Sequence, residues 1–346
     1  MGNEANIETF VGKPVRDYAY GQRTLDPVGV VYRLRIPWEV QERGFMDPEA
    51  TETSGAGGLF GTITRLLGAK PKPHSRNAPP APFVQLLDDF LQDPASAKVS
   101  ALVIGQWGAS TDSADLVVNA LAERAGHLPN LRALFLGDIA GAESEISWIA
   151  QTDLAPLWKA FPALEHLHVR GSNHLSLGRV VLPHLKTLIL VSGGLPARVV
   201  HEVCEAQTPA LEHLELWLGA EDYGGDSALN DVRPLLDGAL FPRLTYLGLR
   251  NCEYVDAIAQ NLGMAPFLAR LRVLDLSLGT LSDAGGEALL QAVSLRHLER
   301  LDLHYHYLSA AMMARLQALG SFIDVSEPQE ADEEDDEVHR YVAVSE

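Results

Sequence analysis

The chain has 346 residues, 47% of them hydrophobic and 21% charged, an ordinary soluble composition with ample apolar material for a core. Its formal charge of -19 argues against a nucleic-acid partner, because phosphate binding needs clustered Lys and Arg. The two cysteines, Cys204 and Cys252, are too few for a disulfide scaffold and lack metal-type pairing, and no apolar run approaches the ~20 residues that span a bilayer.

The first residues lack the charged start and apolar stretch of a signal peptide, which makes the cytoplasm the expected compartment. In an N-terminal unit, residues 1–45, Val30, Tyr32, Leu34 and Ile36 alternate with Val31, Arg33 and Arg35. That alternation predicts a half-exposed strand, suited to capping the first repeat of a solenoid. Residues 46–82 are rich in Gly, Pro, Ser and Ala and read as a flexible insertion, with room for one short helix over residues 59–67. Residues 83–91, with Leu86, Leu87 and Phe90, resume helical periodicity.

Through residues 83–325 the pattern L-x-x-L-x-L recurs, from Val99, Leu102 and Ile104 to Leu298, Leu301 and Leu303, with a weaker last copy at Ile323 and Val325. Its period of about 28 residues falls inside the leucine-rich-repeat range. The fold class is therefore α/β: a leucine-rich-repeat solenoid, or horseshoe, with a parallel concave sheet and helices on the convex side. Alternate strand residues face opposite ways, so the last two apolar positions of each motif point inward together. Helices are predicted over residues 113–125 (burying Leu116, Val117, Ala120 and Leu121), 196–206 and 282–292, the last capped by Ser282. Pro129, Pro162, Pro183, Pro209 and Pro242 each stand two residues before a motif's first Leu, where Pro ends a helix and admits a strand. Cys252 holds the Asn/Cys turn position of its repeat, a structural place. The tail, residues 326–346, is acidic and expected to be solvated, although Tyr341-Val-Ala-Val hints at docking by strand addition or at recognition by a partner.

Chemistry is harder to find. No nucleophile elbow, phosphate loop or C-x-x-C occurs, and His201-Glu-Val-Cys-Glu has Glu205 where a zinc-protease motif needs its second His. The Gly193-Gly194, Gly224-Gly225 and Gly285-Gly286 pairs fit turns and helix packing. The stretch over residues 271–292, LRVLDLSLGTLSDAGGEALLQA, resembles the ribonuclease-inhibitor-like repeat type. Together with LFLGDI, EISWI, LEHLELWLG, FPRLTYLGLRNCE, LDLHYHYLS and the final YVAVSE, it makes the chain resemble a bacterial family of cytoplasmic leucine-rich-repeat proteins. That resemblance implies partner recognition on a horseshoe and transfers no catalytic residue.

Three residues per repeat can face the concave groove: His166, His168 and Arg170; His213, Glu215 and Trp217; Tyr246, Gly248 and Arg250; Val273, Asp275 and Ser277; Arg300, Asp302 and His304. The fourth repeat carries Lys186, Thr187 and Ile189 there. Trp217, Tyr246 and Arg250 are the residue types that dominate interface energetics. Asp275 and Asp302 fall on adjacent strands, about 5 Å apart, and need a neighbouring cation such as Arg250, Arg272 or Arg300. The expected function is a non-enzymatic scaffold gripping a protein or peptide, with no cofactor, metal, nucleic acid or membrane and no oligomeric state implied. The alternative is a catalytic or accessory subunit that presents a peptide to Asp275, Asp302 and His304.

Overall fold

The computed structural model describes residues 5–22, 26–36, 82–238, 240–262, 266–292, 295–334 and 337–345. Twelve strands form one sheet in sequence order: β1 (Thr9–Phe10), β2 (Lys13–Asp17), β3 (Val31–Leu34), β4 (Ala101–Ile104), β5 (Ala133–Leu136), β6 (His166–Arg170), β7 (Thr187–Val191), β8 (His213–Gly219), β9 (Tyr246–Cys252), β10 (Val273–Asp275), β11 (Arg300–Asp302) and β12 (Ile323–Asp324). β1 and β2 form an antiparallel hairpin, and every later neighbour pairs in parallel. The connections carry eight described α-helices: α1 (Pro82–Gln92), α2 (Asp115–Glu123), α3 (Ala155–Ala160), α4 (Ala197–Cys204), α5 (Leu229–Leu236), α6 (Val255–Leu262), α7 (Asp283–Gln291) and α8 (Ala310–Gln317). The molecule is a leucine-rich-repeat solenoid. No described helix is long and apolar enough to cross a membrane.

Register explains the core. Leu102, Leu134, Leu167, Leu188, Leu214, Leu247, Leu274 and Leu301 align strand by strand, each no more than 2% exposed. Leu195, Leu281 and Leu308 close the turns behind them, all buried. The prolines mark a recurrent tight turn: the amides of Leu131, Leu164, Leu185, Leu211 and Leu244 donate to the carbonyls of Leu128, Phe161, Leu182, Thr208 and Phe241. Leu271 and Leu298 make the same turn without a proline, so Pro favours the geometry and apolar packing fixes it.

Repeat length decides the convex side. The 21-residue step from Leu164 to Leu185 has no room for a helix, and its crossing is extended, with Leu175, Leu177, Val180 and Leu182 buried. Both 33-residue steps keep a helix and add a single 3-10 turn on the rim, Ile146–Trp148 and Glu221–Tyr223.

Several expectations change. Val31 and Arg33 are buried at 0% and 7%, so β3 is not half-exposed: the N-terminal segment lies over its outer face. On α2 the buried set is Val117, Val118, Ala120 and Leu121, while Leu116 is 39% exposed. Pro196 caps α4 from outside. Ser282 caps α7 as expected, its hydroxyl accepting from the Ala284 amide at 3.2 Å. All of the 46–82 stretch but Pro82, including the helix expected over residues 59–67, lies outside the described residues. The tail is not simply a solvated run. Asp332–Glu334 and Glu337–His339 pair as a hairpin, and residues 341–345 pack on the solenoid.

The packing makes a contrast that denaturant titration can check. Leu214→Ala should lower stability by about 2–5 kcal/mol through a cavity in the leucine ladder. Leu116→Ala should stay within about 0.5 kcal/mol.

Candidate binding face

The outward positions of the strands form columns, two of which show which groups can meet. His166, Thr187, His213, Tyr246, Val273 and Arg300 lie side by side in the first. Phe135, His168, Ile189, Glu215, Gly248, Asp275 and Asp302 make the second. The fourth repeat presents Thr187, Ile189 and Val191 rather than Lys186, which lies before the strand and pairs with Glu165 at 2.6 Å.

Toward the N-terminal end the face is covered. Phe10 sits edge-on to His166 at 5.0 Å and 6.0 Å from Phe135, whose ring stacks on His168 at 3.8 Å. The covering segment is tied down by Asp138, which accepts the Ile7 amide at 3.1 Å and pairs with buried Arg33 at 2.6 Å. Burial pushes the Asp138 carboxyl up despite Arg33. Burial also lowers His166 to about 4, with His213 adding to the effect, and His168 to about 3, with His166 adding. Both imidazoles are therefore neutral at pH 7. Arg170 is buried at 5%, where desolvation lowers its pKa against the opposing Asp138 charge. The structure thus packs half-buried His166 against Phe10 and half-buried His168 against Phe135, while His168 and buried Arg170 still line a cavity that they share with Trp217.

The central strands hold a connected polar network. Glu215 accepts from Trp217 Nε1 at 2.7 Å and Arg250 Nη1 at 2.8 Å, with His213 Nε2 at 3.4 Å. Arg250 stacks over the Trp217 ring at 4.7 Å, donates from Nε to Ser277 Oγ at 3.0 Å, and lies 3.3 Å from Asp275. Tyr246 donates its hydroxyl to Asp275 at 2.7 Å while its ring stacks on His213 at 3.8 Å. Gly248 makes this crossing possible: a Cβ there would meet Glu215 Cγ at 3.1 Å and Tyr246 Cε1 at 3.2 Å. Burial works to raise Glu215, but His213, Arg250 and Trp217 outweigh it and leave the carboxylate at about 2. Asp275 is pushed up, by burial first and by Asp302 as well, against the pull of Arg250.

Asp302 has its own partners, His304 Nδ1 and Arg300 Nη2, both at 2.7 Å. The hydrogen bond to Asp302 raises His304. Of the three cations proposed to neutralise the Asp275–Asp302 neighbours, Arg250 and Arg300 do so, while Arg272 pairs with Glu299 at 2.6 Å. His201, on the convex side, pairs with Asp231 at 2.7 Å. Among the described residues, no three His, Cys, Asp or Glu side chains gather as a metal site.

What remains open is a strip of half-buried Ile189, Val191, His213, Trp217, Tyr246 and Arg250. Ile189 and Val191 escape a reading of the sequence for site residues because aliphatic strand residues carry no chemical signal. A cavity of about 190 Å³ lies on this face beside Trp217, with His168, Arg170, Ile189, Val191 and Val344 also among its walls. A second, rim cavity of about 420 Å³ is lined by Trp148 and Tyr223 of the two long repeats and by His174 of the short one between them.

A Bacteroides fragilis protein of known crystal structure is 37% identical to this chain, over 71% of this chain and 70% of its own, with a TM-score of 0.68. The chain belongs to that protein's family. An internalin from Listeria monocytogenes also aligns, at 16% identity over 68% of this chain and 55% of its own, with a TM-score of 0.37. No family model matches the sequence, and no curated protein does. The family tie strengthens the fold and assigns no residue a role.

His166 and His168, packed against rings, set a pH dependence. Their folded pKa values lie below the unfolded ~6.5, so the unfolded chain binds protons first as the solution acidifies. Urea unfolding should show full stability above about pH 6.5 and a loss as pH falls toward 4, and His168→Phe should flatten that loss. A pH-independent midpoint in the parent protein would contradict the assignment.

Proposed function

We propose that the chain is a non-enzymatic recognition module that holds a protein or peptide on the open strip of its concave face. The observation that carries this reading is the Trp217–Arg250 stack, half-buried and anchored from below by Glu215 and Asp275. Trp, Tyr and Arg contribute most at interfaces, and fixing them before binding reduces the entropy lost on association. Ile189 and Val191 supply an apolar flank. Asp302 and His304 pair with each other, and Asp275 is held by Tyr246, Arg250 and Ser277, which supports a structural role for them over acid–base chemistry. Acidic net charge favours a protein or peptide over nucleic acid. A cytoplasmic setting and a ribonuclease-inhibitor-like repeat type complete the reading, supported by the two free cysteines and the convex helices.

Selection of displayed random peptides on the immobilised protein tests it. Enriched peptides should lose about 2 kcal/mol, roughly thirtyfold in Kd, on Trp217→Ala. Trp217 is the residue to change because replacing Arg250 would strand two buried carboxylates. Peptides that bind parent and variant equally, or no enrichment at all, would contradict the proposal.

A further inference from the structure

The acidic hairpin delivers residues 341–345 to the rim where the strands end. Tyr341 exchanges two hydrogen bonds with the Tyr307 hydroxyl, each 2.9 Å. The Ala343 amide donates to the Leu278 carbonyl at 2.9 Å, and Ser147 Oγ donates to the Ser345 carbonyl at 2.5 Å. Between them Asn251 holds one backbone unit from both sides: its Oδ1 accepts the Val344 amide at 2.9 Å and its Nδ2 donates to the Val344 carbonyl. Asn251 is fully buried and takes a left-handed φ of 51° to present that carboxamide. Gly193 leaves the path clear, since a Cβ there would collide with the Ser345 carbonyl and Ser147 Oγ.

The chemistry of this seat is that of a peptide receptor. A carboxamide that closes a two-bond ring on a main-chain unit reads backbone and ignores the side chain. Selectivity comes from the flanks: Val342 and Val344, two apart and 6% and 4% exposed, are buried on the solenoid, with Ala343 between them. Strand addition would have built a ladder of main-chain bonds. Here only Ala343 among the five bonds the main chain of the rim, and the other bonds run to the side chains of Asn251, Tyr307 and Ser147. Val344 also walls the concave-face cavity that Trp217 lines.

We propose that the strand-end rim is a binding site for an extended segment of the form aliphatic–small–aliphatic, occupied in cis by the chain's own residues 341–345 and able to take such a segment in trans. This goes beyond recognition on the concave strip, because it names a second surface with a defined ligand. Release of the tail also removes one wall of the cavity next to Trp217.

The test uses the full chain with Val342→Asp/Val344→Asp, which frees the tail, and a fluorescein-labelled peptide of residues 340–346. The freed-tail protein should bind the peptide saturably, and the parent should bind it at least about tenfold more weakly because its own tail competes at high effective concentration. Adding Asn251→Ala should abolish binding. A freed-tail protein with native circular dichroism that ignores the peptide, or binds a scrambled one equally, overturns the proposal. If the double variant does not fold, amide exchange in the parent decides. Ala343 and Val344 exchanging at least about a hundredfold faster than Leu247 supports a releasable ligand, whereas exchange in step with Leu247 shows a fixed part of the core and overturns it.

Discussion

Parallel strands stacked in register place like positions of successive repeats about 4.8 Å apart, and most features of this molecule are consequences of that spacing. On the inner face the repetition is favourable, because leucine against leucine builds a continuous core that no single repeat could bury. On the outer face it is hazardous, since the same rule lines up Glu215, Asp275 and Asp302 within one column. The column is made tolerable by a gap and a bridge. Gly248 leaves the position between Glu215 and Asp275 without a side chain, and Arg250 reaches back to touch both carboxylates. Charge pairs at this depth balance desolvation against attraction, and they hold geometry more than they add stability. The geometry held here is that of Arg250 against Trp217.

The two ends of the chain treat the outer face differently. Phe10 and Ile7 join Val31, Val103 and Phe135 in a second, smaller core, turning the beginning of the sheet into a two-sided layer. The tail instead grips the rim through side-chain amide and hydroxyl groups and leaves the middle of the face open. A horseshoe whose groove could have been one long surface is thereby reduced to a strip on its central strands.

The repeat fold was legible because its signals are local and redundant. Leucine spacing, the five prolines and the Ser282 cap report the same boundaries by separate physical routes. The period-2 rule also placed His213, Glu215, Trp217, Tyr246 and Arg250 on one face correctly. What escaped was non-local. Nothing near Val31 or Arg33 announces that Phe10 will lie over the first and the Ile7 carbonyl over the second, and nothing near His166 or His168 announces the Phe10 and Phe135 rings packed against them. Val342 and Val344 stood out within an acidic tail, yet their partner Asn251 lies 93 residues from Val344 and has no pattern of its own. Leu116 differs from expectation because a short helix offers two overlapping apolar stripes, and packing against the next helix decides between them.

Hydroxyl-radical footprinting of the full chain at pH 7, with each residue's rate normalised to its intrinsic reactivity, addresses the division of the concave face directly. Phe10 and Phe135 should be strongly protected, and Trp217 and Tyr246 should react at rates between theirs and that of exposed Trp148. Phe10 reacting like Trp148, or Trp217 protected as fully as Phe135, would contradict a face closed at one end and open at its centre.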